Sequence, residues 1–283
     1  YLRGEVAAEQ AVDLPRNVLS ILLDIFEVQE NEKVRDEICA NLESYMLNLL
    51  AAGAYGAVGY LLSETDQLIG RATALAPAHK QRLLALPASL SDPAVLSQIL
   101  ESLDHSEVIP RQADLDSLFD QLRGGVLGTV LGWLKQAQKP ELRTALERVA
   151  GRLASANSAE MVKLIGSTDV SIAVEAMRRA GELKTAAAVA PLAKVLQQPN
   201  VELRQAGAQA LSEIASPGAL KLLETALNDE DRDVRITAVR AIGIRGHRAA
   251  LPRVEAVVQG KSVKGADLTE KMAYFEAYGA LAR

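Results

Sequence analysis

The sequence predicts an all-α fold: an α-α superhelix of stacked helix–turn–helix units, with an irregular helical N-terminal half. Three observations carry this. A helix-forming segment recurs at a 31-residue interval, as DVSIAVEAMRRAG (169–181), NVELRQAGAQALS (200–212) and DRDVRITAVRAIG (231–243). Each copy is followed by a second amphipathic segment at the same interval. Alanine and leucine dominate while aromatics make up only 4% of the 283 residues, which favours helix over a β-sandwich or barrel. With 49% hydrophobic and 24% charged residues, the chain has the composition of a globular protein that can bury a long stacked core.

The elements follow in chain order. The sequence opens on Tyr1 rather than methionine, and no charged segment leads into an apolar one, so it reads as part of a longer polypeptide. NVLSILLDIFEV (17–28) is a strongly apolar helix, and NEKVRDEICANL (31–42) starts another, with Asn31 at its head and Arg35 four residues on. From Met46 to Leu62 the chain carries no charge for 17 residues. A membrane-spanning helix needs about 20 predominantly apolar residues. This run holds Asn48, two tyrosines and three glycines, so two buried helices meeting at a corner near Gly53 are expected, not a span. GAYGAVGYLL, DPAVLSQILESL (92–103), DLDSLFDQL (114–122) and GGVLGTVLGWLKQ (124–136) read as further helices without a regular period. Gly53, Gly56 and Gly59, and Gly125, Gly128 and Gly132, are expected at close helix contacts. Residues 1–139 thus form a region of about six to eight helices that continues or caps the solenoid.

Residues 140–283 hold the repeats. Asp169, Asn200 and Asp231 stand first, where a side-chain oxygen accepts a hydrogen bond from an orphan backbone N–H at a helix start. Ile172, Leu203 and Val234 follow. Ala176, Ala210 and Ala241 sit on later turns, the first out of strict register. Gly181, Ser212 and Gly243 close the segment, and glycine there is expected to adopt the left-handed cap conformation. PELRTALERVAGRL (140–153) is a fainter earlier copy.

The second helices are AAVAPLAKVLQQ (187–198), GALKLLETALND (218–229) and AALPRVEAVVQG (249–260), with inward columns Leu192/Leu223/Val254 and Leu196/Leu227/Val258. Pro191 and Pro252 lie in or near a first turn, where a missing N–H costs little. One such pair cannot bury its apolar face alone, whereas stacked pairs share a continuous core. The last copy, LTEKMAYFEAYGALAR (268–283), lacks a partner helix. Met272, Phe275, Tyr278 and Leu281 are therefore expected to be uncovered, and the natural chain to continue.

The D/N-x-x-V/L-R opening, the A-x-x-A-L/I-G close and the L-x-x-x-L second helix resemble HEAT repeats. They are most similar to the short bacterial variety also found in phycobilin lyase subunits. The period is shorter than the roughly 40–47 residues of larger HEAT and armadillo repeats. The resemblance implies a protein-binding solenoid whose second helices line the concave face. It also implies that the pairs Asn31/Arg35, Asn200/Arg204 and Asp231/Arg235 form a ladder setting repeat-to-repeat register. Ala173 breaks that ladder after Asp169.

Chemistry-bearing patterns are missing. His79, His105 and His247 lie far apart, none at a metal-ligand spacing. There is no G-x-S-x-G, Walker loop or strand-borne G-x-G-x-x-G. Neither an active site nor a cofactor is expected. Cys39, the single cysteine, falls on an apolar helix face as a core residue; it excludes an internal disulfide and suits a reducing, cytoplasmic setting or indifference to redox.

Charge is uneven. Residues 1–140 carry 11 basic and 19 acidic side chains, a net −8, and residues 141–283 carry 20 and 17, a net +3. RITAVRAIGIRGHRAALPR (235–253) has five arginines, one histidine and no acid.

The function expected is a non-catalytic scaffold binding another protein, possessing an acidic surface, on the concave face or this basic edge. The candidate contact residues are Lys194, Gln197, Lys221, Glu224, Asn228, Arg245, His247, Arg248 and Arg253, within polar columns such as Gln197/Asn228/Gln259. Nucleic acid is disfavoured because aromatic side chains for base stacking are nearly absent from the repeats. The alternatives implied by the family are a phycobilin-lyase-like or DNA-glycosylase-like enzyme, or a structural arm. Trp133, the only tryptophan, lies outside the regular repeats and weakens the glycosylase reading.

Overall fold

The computed structural model describes residues 13–72, 75–107, 110–260 and 265–283. Among these, all regular structure is helical: 16 α-helices and three short 3-10 turns. The chain divides into two compact units, Tyr1–Ala150 and Gly151–Arg283.

The first unit runs α1 (Leu14–Val28), α2 (Glu32–Ala51), α3 (Tyr55–Arg71), α4 (Pro77–Leu90), α5 (Pro93–His105), α6 (Gln112–Phe119) and α7 (Leu127–Gln136), then enters α8 (Pro140–Ala156). Asp13, Asn31 and Asp92 cap α1, α2 and α5 by accepting backbone N–H bonds. The helices pack in two rows. α3 lies against α1 and α6, while α4 lies against α2 and α5. The uncharged run from Met46 is two helices that turn at Gly53, whose φ of +70° favours glycine. Among the described residues no single helix is long and apolar enough to cross a membrane. Gly59 fits the close-contact expectation: a Cβ there would stand 2.7 Å from the Ser117 backbone carbon and 2.8 Å from the Leu118 nitrogen. Gly125 does not, since its Cβ direction meets open space. Helix α4 went unread because its sequence contains Pro87. That residue sits in the last turn, where the loss of one intrahelical bond is tolerable.

The second unit continues with α9 (Ser158–Leu164), α10 (Val170–Glu182), α11 (Val189–Val195), α12 (Val201–Ile214), α13 (Pro217–Ala226), α14 (Arg232–Ile244), α15 (Leu251–Gln259) and α16 (Leu268–Leu281). α10, α12, α14 and α16 stack in one row, and the shorter second helices pack beside them. This is the expected helical solenoid. α9, too short and uncapped to be legible, is the second helix of the faint first copy.

Asp169, Asn200 and Asp231 cap α10, α12 and α14 as expected. The glycines do not. Gly181 and Gly243 lie inside their helices, and a Cβ on Gly243 would come within 2.9 Å of the Ala277 Cβ. They are helix-crossing points. The left-handed residues come three positions later, as Lys184 (φ 49°), Ala215 (φ 50°) and Gly246 (φ 61°), again 31 apart. In the alanine column, position 179 holds a buried arginine bonded to Glu182, which explains the broken register at Ala176. On α16 the inward residues are Ala273, Tyr274, Ala277 and Leu281, so Leu281 is covered, contrary to expectation. Met272 and Phe275 are exposed and Tyr278 half-buried.

Candidate partner-binding surface

Packing decides which polar side chains the array leaves over. Leu192, Leu223 and Val254 are fully buried, and this turns the remaining faces of α11, α13 and α15 outward. Lys194, Gln197, Lys221 and Asn228 are consequently exposed. So are Arg245, which ends α14, and Arg248, in the 3-10 turn Arg248–Ala250.

The other three candidates form one knot. The His247 Nε2 lies 2.7 Å from Glu224 Oε1. The Arg253 Nη1 donates to the Glu224 carbonyl at 3.1 Å and lies 3.7 Å from its carboxylate. Glu224, on α13, is thereby tied through His247 to the turn that precedes α15 and through Arg253 to α15 itself. This contact within the chain offsets the Arg253 charge, and Arg240, Arg245 and Arg248 remain as exposed arginines of the run.

The arginine ladder exists, with geometry other than expected. The capping Asp and Asn do not pair with the arginines that follow them. Arg204 bonds Asp229 through Nε and Nη2, each at 2.9 Å, and donates to the carbonyls of Gln198 and Pro199 at 3.0 Å. Arg235 repeats the pattern with Glu270, at 2.6 and 3.1 Å, and with the carbonyls of Asp229 and Glu230. Each guanidinium thus fastens the loop before its helix to a carboxylate one unit further on. The Arg204 and Asp229 side chains are only 11% and 9% exposed, so the pair is largely shielded from water. Burial raises the Asp229 carboxyl, but Arg204 and the Asp231 N–H outweigh it and hold the group below the usual carboxylate range. Ala173 breaks the row, whereas Arg143, bonded to the Ala137 carbonyl, extends the pattern in the first unit.

Two grooves open between neighbouring repeats of the second unit beside these clamps. One, of about 530 Å3, is lined by Gln197, Arg204, Leu222, Thr225 and Asn228. The next, of about 580 Å3, is lined by Asn228, Arg232, Arg235, Glu270 and Tyr274. Asn228 belongs to both. Sequence reading missed the grooves, although the arginine column that borders them was visible.

The remaining reactive groups are engaged in structure. His79 is buried with Nε2 3.1 Å from Asp36, and His105 Nδ1 lies 2.8 Å from the Glu101 carbonyl. Cys39 is buried, and desolvation pushes its thiol up against the opposing pull of Arg82. Among the described residues no three His, Cys, Asp or Glu side chains come together as a metal site.

Residues 158–243 and 189–266 match the family model for HEAT repeats. Residues 158–266 carry HEAT repeats. No curated protein matches it. Among solved structures, an engineered protein from a structural genomics programme is 16% identical, with 93% of this chain and 88% of that one aligned at a TM-score of 0.39. Human deoxyhypusine hydroxylase in complex with glycerol is 14% identical over 95% and 97%, at 0.38. A designed armadillo repeat protein is 14% identical over 93% and 99%, at 0.33. Likeness at this level carries no argument about activity.

Proposed function

We propose that this HEAT array is a non-catalytic scaffold that holds another protein on the exposed second-helix surface and the Arg245/Arg248 edge. One observation supports the reading above the rest. The ladder arginines and the apolar columns are consumed in joining unit to unit. Lys194, Gln197, Lys221, Asn228, Arg245 and Arg248, in contrast, stay exposed, and none of their side chains bonds another described residue. Long cationic and amide side chains left unspent beside shallow grooves suit a protein surface better than an enclosed small-molecule pocket. Two uncompensated arginines on one edge favour a partner with an acidic patch. The lone buried Cys39 agrees with a cytoplasmic setting.

Affinity purification from the source organism tests this, with wild-type bait beside an Arg245→Ala/Arg248→Ala double variant. A protein recovered stoichiometrically by the wild type and depleted at least tenfold in the variant is expected. Recovery of nothing, or of a bound pigment or nucleic acid in place of a protein, overturns the scaffold reading. Equal recovery by both baits overturns the basic edge.

A further inference from the structure

The outer face of the first-helix row follows one pattern and departs from it at α14. On α10 the Arg178 Nη1 donates to Glu182 Oε1 at 2.6 Å, and on α12 the Gln209 Nε2 donates to Glu213 Oε1 at 2.9 Å. Such pairs, four residues apart, tie a solvated helix face together. The next members of the two columns, 31 residues on, are Arg240 and Ile244. Isoleucine stands in the place of the acid and is 80% exposed. Arg240 is exposed too, and its side chain bonds no described residue. α14 is an interior helix of the row, packed between α12 and α16, so a neighbour on either side still leaves Ile244 uncovered.

α16 loses the acid as well. Gly181 of α10 meets α12 at Ala210, and Gly243 of α14 meets α16 at Ala277; a Cβ on these glycines would stand 3.2 and 2.8 Å from the respective alanine Cα. Three residues past those alanines lie Glu213 and Ala280. Glu213 folds over Gly181, its Oε2 2.5 Å from where a Cβ would be, and fills that seam. Ala280 is too short to do the same over Gly243. A slot of about 460 Å3 opens there, with Gly243, Ala277 and Ala280 between Arg240, Ile244 and Glu276.

Inside the slot Arg240 and Glu276 offset one another. The excess charge lies at its end, where Arg245 caps α14 directly after Ile244 and Arg248 follows, both exposed. An apolar slot with a basic end suits a bulky apolar side chain carried on an acidic segment, the anchor-and-rim arrangement of protein interfaces. A nucleic-acid backbone would meet the arginines but has no aliphatic group for the slot.

We infer that the slot between α14 and α16 anchors the partner protein, taking a bulky apolar side chain of an acidic segment while Arg245 and Arg248 hold the acids beside it. This rests on the scaffold reading above and adds to it the point of attachment.

Selection from a displayed library of random peptides against the full chain, then fluorescence titration of the selected sequences as synthetic peptides, tests the inference. Ile244→Glu gives Arg240 the acid that Arg178 has. Ala280→Glu places over Gly243 the acid that Glu213 places over Gly181. Both variants extend a pattern with which the array already folds, and circular dichroism and urea unfolding verify that they are native. Selected peptides should carry leucine, isoleucine, phenylalanine or tryptophan flanked by acids, and should bind more weakly at high salt. They should lose at least about tenfold in affinity for Ile244→Glu and for Ala280→Glu. No enrichment, enrichment of basic peptides, or unchanged affinity for both variants overturns the slot. Peptides weakened by Arg245→Ala/Arg248→Ala alone also overturn it. In the affinity purification above, a partner recovered equally by wild type and Ile244→Glu removes the slot and leaves the scaffold reading standing.

Discussion

The Arg204 guanidinium bonds a carboxylate on one side and two loop carbonyls on the other, and little water reaches it. Removing it strands Asp229 in a largely desolvated place. Arg204→Ala should therefore cost about 2–3 kcal/mol in urea unfolding at neutral pH. The Asp229 carboxyl, held below its usual range, supplies stability that is complete above about pH 3.9 and fades as pH falls further. The stability gap between wild type and Asp229→Asn should accordingly shrink in acid. Tyr274 gives the opposite sign. Burial pushes its phenol up to about 12, and its hydroxyl donates to the Leu227 carbonyl at 3.3 Å. The neutral phenol contributes fully below about pH 10, and that contribution is lost as pH climbs towards 12. Tyr274→Phe should flatten the alkaline unfolding curve over that interval. Leu223 is fully buried in the repeat array, so Leu223→Ala should lower stability by about 2–5 kcal/mol. The exposed Arg245→Ala/Arg248→Ala pair should stay within about 0.5 kcal/mol of wild type. Equal losses would mean the inward and outward faces are misassigned.

Helices α10, α12 and α14 are each followed by a left-handed residue, and only the last of these, Gly246, is a glycine. A non-glycine in that conformation carries roughly 1–2 kcal/mol of strain. Lys184→Gly and Ala215→Gly should each stabilise the array by about 0.5–1 kcal/mol, read as a raised urea midpoint. Gly243→Ala should do the reverse by pressing on Ala277. Glycine at 181 and 243 suggested helix caps from the sequence because a cap and a close crossing both select against a side chain. Only coordinates separate them. The 31-residue columns, the Asp/Asn caps and the second helices were legible because each repeats one physical demand. Helices α4 and α9 were not: Pro87 masks one as a breaker, and the other is seven residues long with no side-chain cap. On α16 the expectation of an open face held for Met272 and Phe275 and failed at Leu281, which is buried.

At the scale of the molecule, the family and the solenoid could be read from half the chain, but the candidate surface only in part. Exposure of Lys194, Gln197, Lys221 and Asn228 followed from helical periodicity. The knot of Glu224, His247 and Arg253 joins residues 23 and 29 positions apart and leaves no mark on local pattern. The segment 200–230 contains its own helix cap, Asn200, and both halves of a clamp, Arg204 and Asp229. Unequal crossing-over between neighbouring gene segments that adds or deletes such a stretch in frame would carry cap and clamp along intact. The number of repeats is thus the property of this protein that heredity can alter most readily.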